Sequence, residues 1–421
     1  MTDFLGDNNL VNASNIQTLR QNWLESPYNQ IQARAYLESV KNLAPTDFTS
    51  KLDDFINSIG DFSEKKWLDD NFLIVLINLS YELINLNDYE LALIFLNDLY
   101  KANSQNLFVN YELGFVNLLL GNYQTALDFF EAVIIHENTF DTLLNIVMCK
   151  IYLTRLEKLD DYFVKLKLSA QSSEEEIEVF NTGKIIYRLN EIISAKNIKT
   201  YREWLYILYG SILINDRNNL LDSQESGKTT NKSELTQILT DIYILKRFLE
   251  SLNINIEIIT YLEPDSFTLS HLFGLVFELP VELLTNQYNN AKCLIIVNDT
   301  QCLRTNYKTF TKTNRNIIFY CYELSNDISL PITPAIVNKI TFDSVIPYST
   351  ITNDGKEYQE IMQKAFDTLP SIETDCNTAN HIASLTQFYE LKQANLLLDN
   401  TDTFKDYFQY HAELKYLVKD R

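Results

Sequence analysis

Apolar positions in the first half of the chain recur at the spacing of amphipathic helices, and two stretches do so in step with each other. Leu79, Tyr81, Tyr89, Ala92, Leu96 and Leu99 have counterparts 34 residues further on in Leu113, Phe115, Tyr123, Ala126, Phe130 and Val133. Each stretch predicts a helix, a short polar break (85–88, then 121–122) and a second helix. Asn87 and Gly121 take equivalent places where the chain reverses, and both residue types tolerate the left-handed backbone that such a stop uses. A third, degenerate unit covers 141–172. There Glu157 and Asp160 stand in the Tyr and Ala positions, while Ile146, Cys149, Ile151, Leu153, Leu156, Phe163 and Leu166 keep the helical period. The flanking stretches 31–43, 48–59 and 174–195 also read as helices, the last opened by Ser172 and Ser173 with three glutamates in its first turn, which suits the helix dipole. Stacked helix pairs need about three units to bury a continuous core, so residues 1–200 are expected to form an all-α solenoid or bundle.

The second of these units resembles the tetratricopeptide repeat (TPR) family. Leu113-Gly114, Gly121 with Tyr123, Ala126 and Phe130 stand where that pattern wants Leu-Gly, Gly-x-Tyr, Ala and a bulky residue. The first unit keeps Tyr89 and Ala92 but has Ser80 for the glycine, and neither unit has the closing proline. In a TPR array the first helix of each pair lines a groove. The resemblance therefore implies a groove of Ile74, Ile77, Tyr81 and Ile84, then Phe108, Tyr111, Phe115 and Leu118, with Thr142, Asn145, Cys149 and Tyr152 in the third unit. Members that grip a terminal carboxylate place Lys and Asn in this groove, where this chain has Tyr and aliphatic groups. An apolar, aromatic groove suits an amphipathic helix or hydrophobic segment of another protein. The alternative is that another part of the same chain fills it and makes it core.

From about residue 233 the period changes to helix and strand in alternation. Helices are predicted over 233–251, 267–284 and 355–369, and strands over 254–262, 293–297, 316–322 and 339–345. Apolar strands separated by helices are the signature of a parallel sheet covered on both faces, so 233–370 reads as a small Rossmann-like or flavodoxin-like α/β domain. Ligands of such sheets bind at the carboxyl ends of the strands. Those ends carry Glu263, Asp265, Asp299, Glu323 and Asp343. Carboxylates there could hold Mg²⁺, but Asp265-Ser266, Asp299-Thr300 and Asp343-Ser344 are equally good helix caps. Helices are expected again over 378–398 and 404–418, and the helix begun by Tyr201-Arg202-Glu203-Trp204 is expected to run through 205–214 into a polar linker over 215–232.

Composition narrows the chemistry. Acidic residues number 56 against 35 basic ones, a net charge of −21, which disfavours nucleic acid and anionic lipid as partners. The nine glycines include no GxG, and Ser226-Gly227-Lys228-Thr229 lacks both the upstream glycine and the strand that a phosphate loop needs. Five scattered cysteines show no metal or disulfide spacing, and His136, His271, His381 and His411 have no Cys or carboxylate at a ligand spacing. No signal peptide or membrane-spanning run is apparent, and the chain reads as cytoplasmic.

The expected order is N-terminal helices over 1–68, a TPR-like array over 69–200, a connecting helix and linker over 201–232, an α/β domain over 233–370 and C-terminal helices over 371–421. The expected role is a protein-interaction scaffold or adaptor, with no catalytic residue, cofactor or metal assigned. The competing expectation is an enzyme, glycosyltransferase-like or Mg-dependent, whose α/β half is catalytic and whose array selects a protein substrate.

Overall fold

The computed structural model describes residues 10–60, 69–193, 198, 200–216, 234–262, 264–284, 291–299, 317–325, 334–341 and 355–396. Among them are fifteen α-helices and one six-stranded sheet whose strand pairs are all parallel. The chain divides into two compact units, Met1–Glu176 and Ile177–Arg421.

The first unit contains nine helices: α1 (Leu10–Glu25), α2 (Gln30–Val40), α3 (Thr46–Gly60), α4 (Asp70–Asn85), α5 (Tyr89–Ala102), α6 (Leu107–Leu119), α7 (Tyr123–Ile134), α8 (Phe140–Tyr152) and α9 (Leu159–Ser169). Each packs on its successor. The hairpins α4/α5, α6/α7 and α8/α9 share one turn. Asn87, Gly121 and Thr154 all have positive φ, of 59°, 76° and 54°. Around them the same two bonds recur. One set is Asn87 N–H to Ile84 O, Gly121 N–H to Leu118 O and Thr154 N–H to Ile151 O. The other is Asp88 N–H to Leu83 O, Asn122 N–H to Asn117 O and Arg155 N–H to Lys150 O. This turn satisfies carbonyls that the ending helix would leave bare. The third hairpin has a β-branched Thr where the others use Asn and Gly, and a second left-handed residue, Lys158, precedes α9.

Small residues set how closely the paired helices approach. Ala92 and Ala126 are fully buried, and a Cβ on Gly114 would lie 2.8 Å from Cε1 of Phe130. The N-terminal helices close the other end of the stack with an aromatic cluster. Trp23, Tyr36, Phe55 and Phe95 are all fully buried, with ring centroids 5.2 to 6.4 Å apart. Arg20 on α1 donates two hydrogen bonds to Asp88, the residue that caps α5.

In the second unit, α10 (Ser173–Ile193) crosses the boundary and is followed by α11 (Tyr201–Tyr209). Then come β1 (Ile212–Leu213), α12 (Glu234–Ser251), β2 (Ile258–Tyr261), α13 (Phe267–Phe277) and β3 (Val281–Leu283). The remainder is β4 (Cys293–Asp299), β5 (Ile317–Ser325), β6 (Ile336–Thr341), α14 (Lys356–Glu373) and α15 (Cys376–Tyr389). The strand order is β1-β6-β5-β4-β2-β3.

Two strands lie where helix was expected. The helix begun at Tyr201 ends at Tyr209, because Gly210 turns left-handed (φ 70°), and β1 then pairs with β6. The helix expected over 267–284 ends at Phe277, with Glu278 left-handed and Pro280 leading into β3. β6 begins at Ile336, three residues before the expected start, and the expected helix over 404–418 lies outside the described residues.

Gly114→Ala should destabilise the first unit by about 1–2 kcal/mol in urea unfolding. The overlap with Phe130 costs about 1–3 kcal/mol, more than the helix propensity gained. In a Phe130→Leu background the same change should become neutral or stabilising, since the ring it strikes is gone.

Candidate functional site

The first helices α4, α6 and α8 carry the residues expected to line a groove, and their exposure changes steadily along the array. On α4, Ile74 is 55% and Tyr81 49% exposed, whereas Ile77 is half-buried and Ile84 buried. On α6, Phe108 is 41% exposed, Tyr111 and Phe115 are half-buried, and Leu118 is buried. On α8 every residue from Thr142 to Tyr152 is buried, including Asn145, Cys149 and Tyr152. The open part of this face is therefore confined to α4 and the first half of α6. Tyr111 joins the two neighbouring first helices, since Asn145 donates to its hydroxyl at 3.3 Å, and its ring packs edge-on against Phe130.

Glu112 lies within this stripe, one turn after Phe108 and one turn before Phe115. It is 9% exposed, and burial raises its carboxyl from the ordinary 4.5 to about 7. Glu112 carries no mark of its own in the sequence, because one acid in an apolar helix looks like a solvated position until the neighbouring helices are placed. Two lysines of the array sit against acids: Lys150 on α8 lies 3.6 Å from Glu131, and Lys101 lies 2.7 Å from Asp98.

The five strand-end acids fare differently. Glu263 and Asp343 lie outside the described residues. Asp265 is exposed in a 3₁₀ turn after β2 (Pro264–Ser266), and its carbonyl accepts from Asn298 Nδ2 at 2.6 Å. Asp299 and Glu323 are brought side by side, in register on β4 and β5, and Lys339 on β6 continues the row. Glu323 is buried and ion-paired with Lys339 through Oε1, while its Oε2 has no hydrogen-bond partner. Ser266 occupies the N-cap of α13 without making the side-chain cap bond expected of it.

β2 touches both β3 and β4, so the strand order reverses there, which is where open parallel sheets bind ligands. Near this point Asn298 Oδ1, Thr260 Oγ1 and Thr268 Oγ1 are buried without a hydrogen-bond partner. Chemically, this edge offers hydrogen-bond acceptors and one ion pair.

Burial pushes the Cys149 thiol up, and Cys293 up to about 11, so neither is a thiolate at neutral pH. His271 Nδ1 bonds the carbonyl of Phe267 and His381 Nε2 that of Ile214. Among the described residues no three His, Cys, Asp or Glu side chains gather to hold a metal ion, and no helix is long and apolar enough to cross a membrane. No family model matches the chain, and no curated protein matches its sequence.

The raised Glu112 carboxyl makes a signed prediction. The unfolded chain releases this proton near pH 4.5 and the folded chain near 7, so the stability it contributes is whole below 4.5 and is lost as pH rises through 7. Glu112→Gln should match the wild type at pH 4 and be more stable at pH 8 by about 2–3 kcal/mol, as read from urea melts across that range. At the sheet edge, Lys339→Met should cost about 2–3 kcal/mol by leaving the Glu323 charge buried and unpaired. Adding Glu323→Gln should recover most of that loss.

Proposed function

We propose that the helical hairpins of α4 to α9 form a TPR-like module that binds another protein, and that the chain acts as a scaffold or adaptor. The appended α/β unit then contributes a ligand-binding or structural element. The observation that supports this reading is the run of exposed Ile74, Tyr81 and Phe108 on successive first helices, beside half-buried Ile77, Tyr111 and Phe115. Rings and aliphatic side chains left in water on one face are disfavoured in a free protein and are common at the centre of docking surfaces. The 34-residue step between equivalent positions, the three matching turns and the close approach at Gly114 support the TPR-like assignment.

A second reading, an enzyme whose α/β unit is catalytic, draws on the Asp299–Glu323 row and the unpartnered Glu323 oxygen at the carboxyl edge of the sheet. It has less support. The row carries two carboxylates and a lysine, and among the described residues no third His, Cys, Asp or Glu joins them to hold a metal ion.

A photo-crosslinking residue placed at Tyr81 or Phe108 should trap a defined protein from native lysate. The same probe at Ile135, exposed in the turn that ends α7, should not. Tyr81→Ser with Phe108→Ser should abolish the product while leaving the melting temperature within a few degrees. Equal crosslinking from all three positions, or loss of folding in the double variant, would count against the docking face.

A further inference from the structure

Among the described residues five acids are buried: Asp88, Glu112, Glu203, Asp241 and Glu323. Four are held by partners. Asp88 takes the Arg20 guanidinium, Glu203 accepts from the Thr200 backbone, Asp241 accepts from Asn338 and Gln237, and Glu323 pairs with Lys339. Glu112 alone has neither a hydrogen bond nor an ion pair; burial raises its carboxyl, whose oxygens, unlike Glu323 Oε2, are recessed but not sealed from solvent. A buried acid without a partner lowers stability, and it stands in the stripe whose neighbours Phe108 and Phe115 are exposed or half-buried.

The two helices that carry this face bear charge of one sign, and the lysines of the helices packed on α6, Lys101 on α5 and Lys150 on α8, lie against Asp98 and Glu131. Neither α4 nor α6 contains a Lys, Arg or His, and neither do the turns at 86–88, 103–106 and 120–122. Asp70 lies on the Ile74 stripe, one turn before it, and Glu82 adjoins Tyr81. Over residues 1–176, acidic side chains number 26 against 12 basic ones. An occupant of this face meets an apolar floor, an acidic surround and one carboxylate in need of a cation.

We propose that the α4–α6 face receives an amphipathic helix of another protein, laid apolar side down on Ile74, Tyr81 and Phe108, and carrying one Lys or Arg placed to reach Glu112. The inference rests on the docking reading above and adds the partner's chemistry. A long basic side chain can reach a recessed carboxylate while its stem covers apolar surface. It also replaces an unpaired buried charge with a charge-assisted hydrogen bond, the stronger kind. Acidic helices are excluded from the same face by repulsion, so one residue sets both affinity and selectivity.

The test uses the full chain and a fluorescent 15-residue helix of Leu, Ala and Gln with a single apolar stripe, into which one Lys is moved position by position. Binding is read as anisotropy at 0.15 M salt. One Lys position should tighten binding tenfold or more over the Lys-free helix. Glu112→Gln should abolish that gain and leave the Lys-free helix unaffected, while Asp128→Asn on α7 should change neither. Circular dichroism melts confirm that both variants are folded. A gain that is spread over many Lys positions, or that survives Glu112→Gln, overturns the role of Glu112 while leaving the groove intact. No binding by any helix, or binding that Tyr81→Asp does not weaken, removes the docking reading itself. Binding that appears only after residues 397–421 are deleted would mean that the chain covers this face itself, and would overturn the proposal.

Discussion

The turn repeated at 86–88, 120–122 and 153–155 is the constraint on which the first unit depends. A helix hairpin can bury one stripe of each helix, so it is stable only if the next hairpin arrives in the same orientation. Three left-handed residues with the same pair of backbone bonds deliver that orientation three times. Gly114 then fixes the separation within the second hairpin, because Phe130 occupies the space a side chain would need. With approach and direction both set, the first helices must fall on one side of the stack. The exposed Ile74, Tyr81 and Phe108 follow from that geometry.

The second unit answers a different constraint, the unpaired backbone at the rim of a sheet. β1 has two residues and pairs with β6 on one side only. Its other side is taken by side chains. Leu213 N–H donates to the Tyr389 hydroxyl, Arg202 donates to the carbonyls of Leu213 and Ile214, and His381 lies 2.9 Å from the Ile214 carbonyl. These groups come from α11 and α15, so the helix that ends at Gly210 and a helix after the sheet are both tied to the edge they protect. Arg188 does similar work on the last carbonyls of α11, bonding Ile207 and Leu208. Two arginines and a histidine are thereby committed to backbone carbonyls.

What could be read from the sequence was what leaves a local mark. Asn87 and Gly121 advertise positive φ, and Ala92 and Ala126 advertise close packing, so the first two hairpins were legible. Thr154 gives no such mark, because a β-branched residue is a poor indicator of a left-handed turn, and the third unit looked degenerate although its turn is the same. β1 and β3 are too short to show a period of two, and their backbone partners lie far away in sequence, so apolar composition was read as helix. The strand-end acids were visible, but their alignment was not. Parallel register, which places Asp299 beside Glu323 and Glu323 beside Lys339, is decided by strand order.

Glu112 shows why burial has to be weighed together with partners. Asp88 is the more deeply buried of the two, yet two bonds from Arg20 and the α5 cap make it part of the architecture. The two acids are 24 residues apart on neighbouring hairpins, and the same stacking buries both. Only one received a cation from its own chain. The array could have placed a neutral side chain at Glu112 without altering the turn, the Gly114 contact or the aromatic end of the stack, because none of these involves it. Its carboxylate thus adds nothing to the hairpin geometry that would offset its desolvation. Under the docking proposal, that desolvation is offset by a basic group of the bound helix.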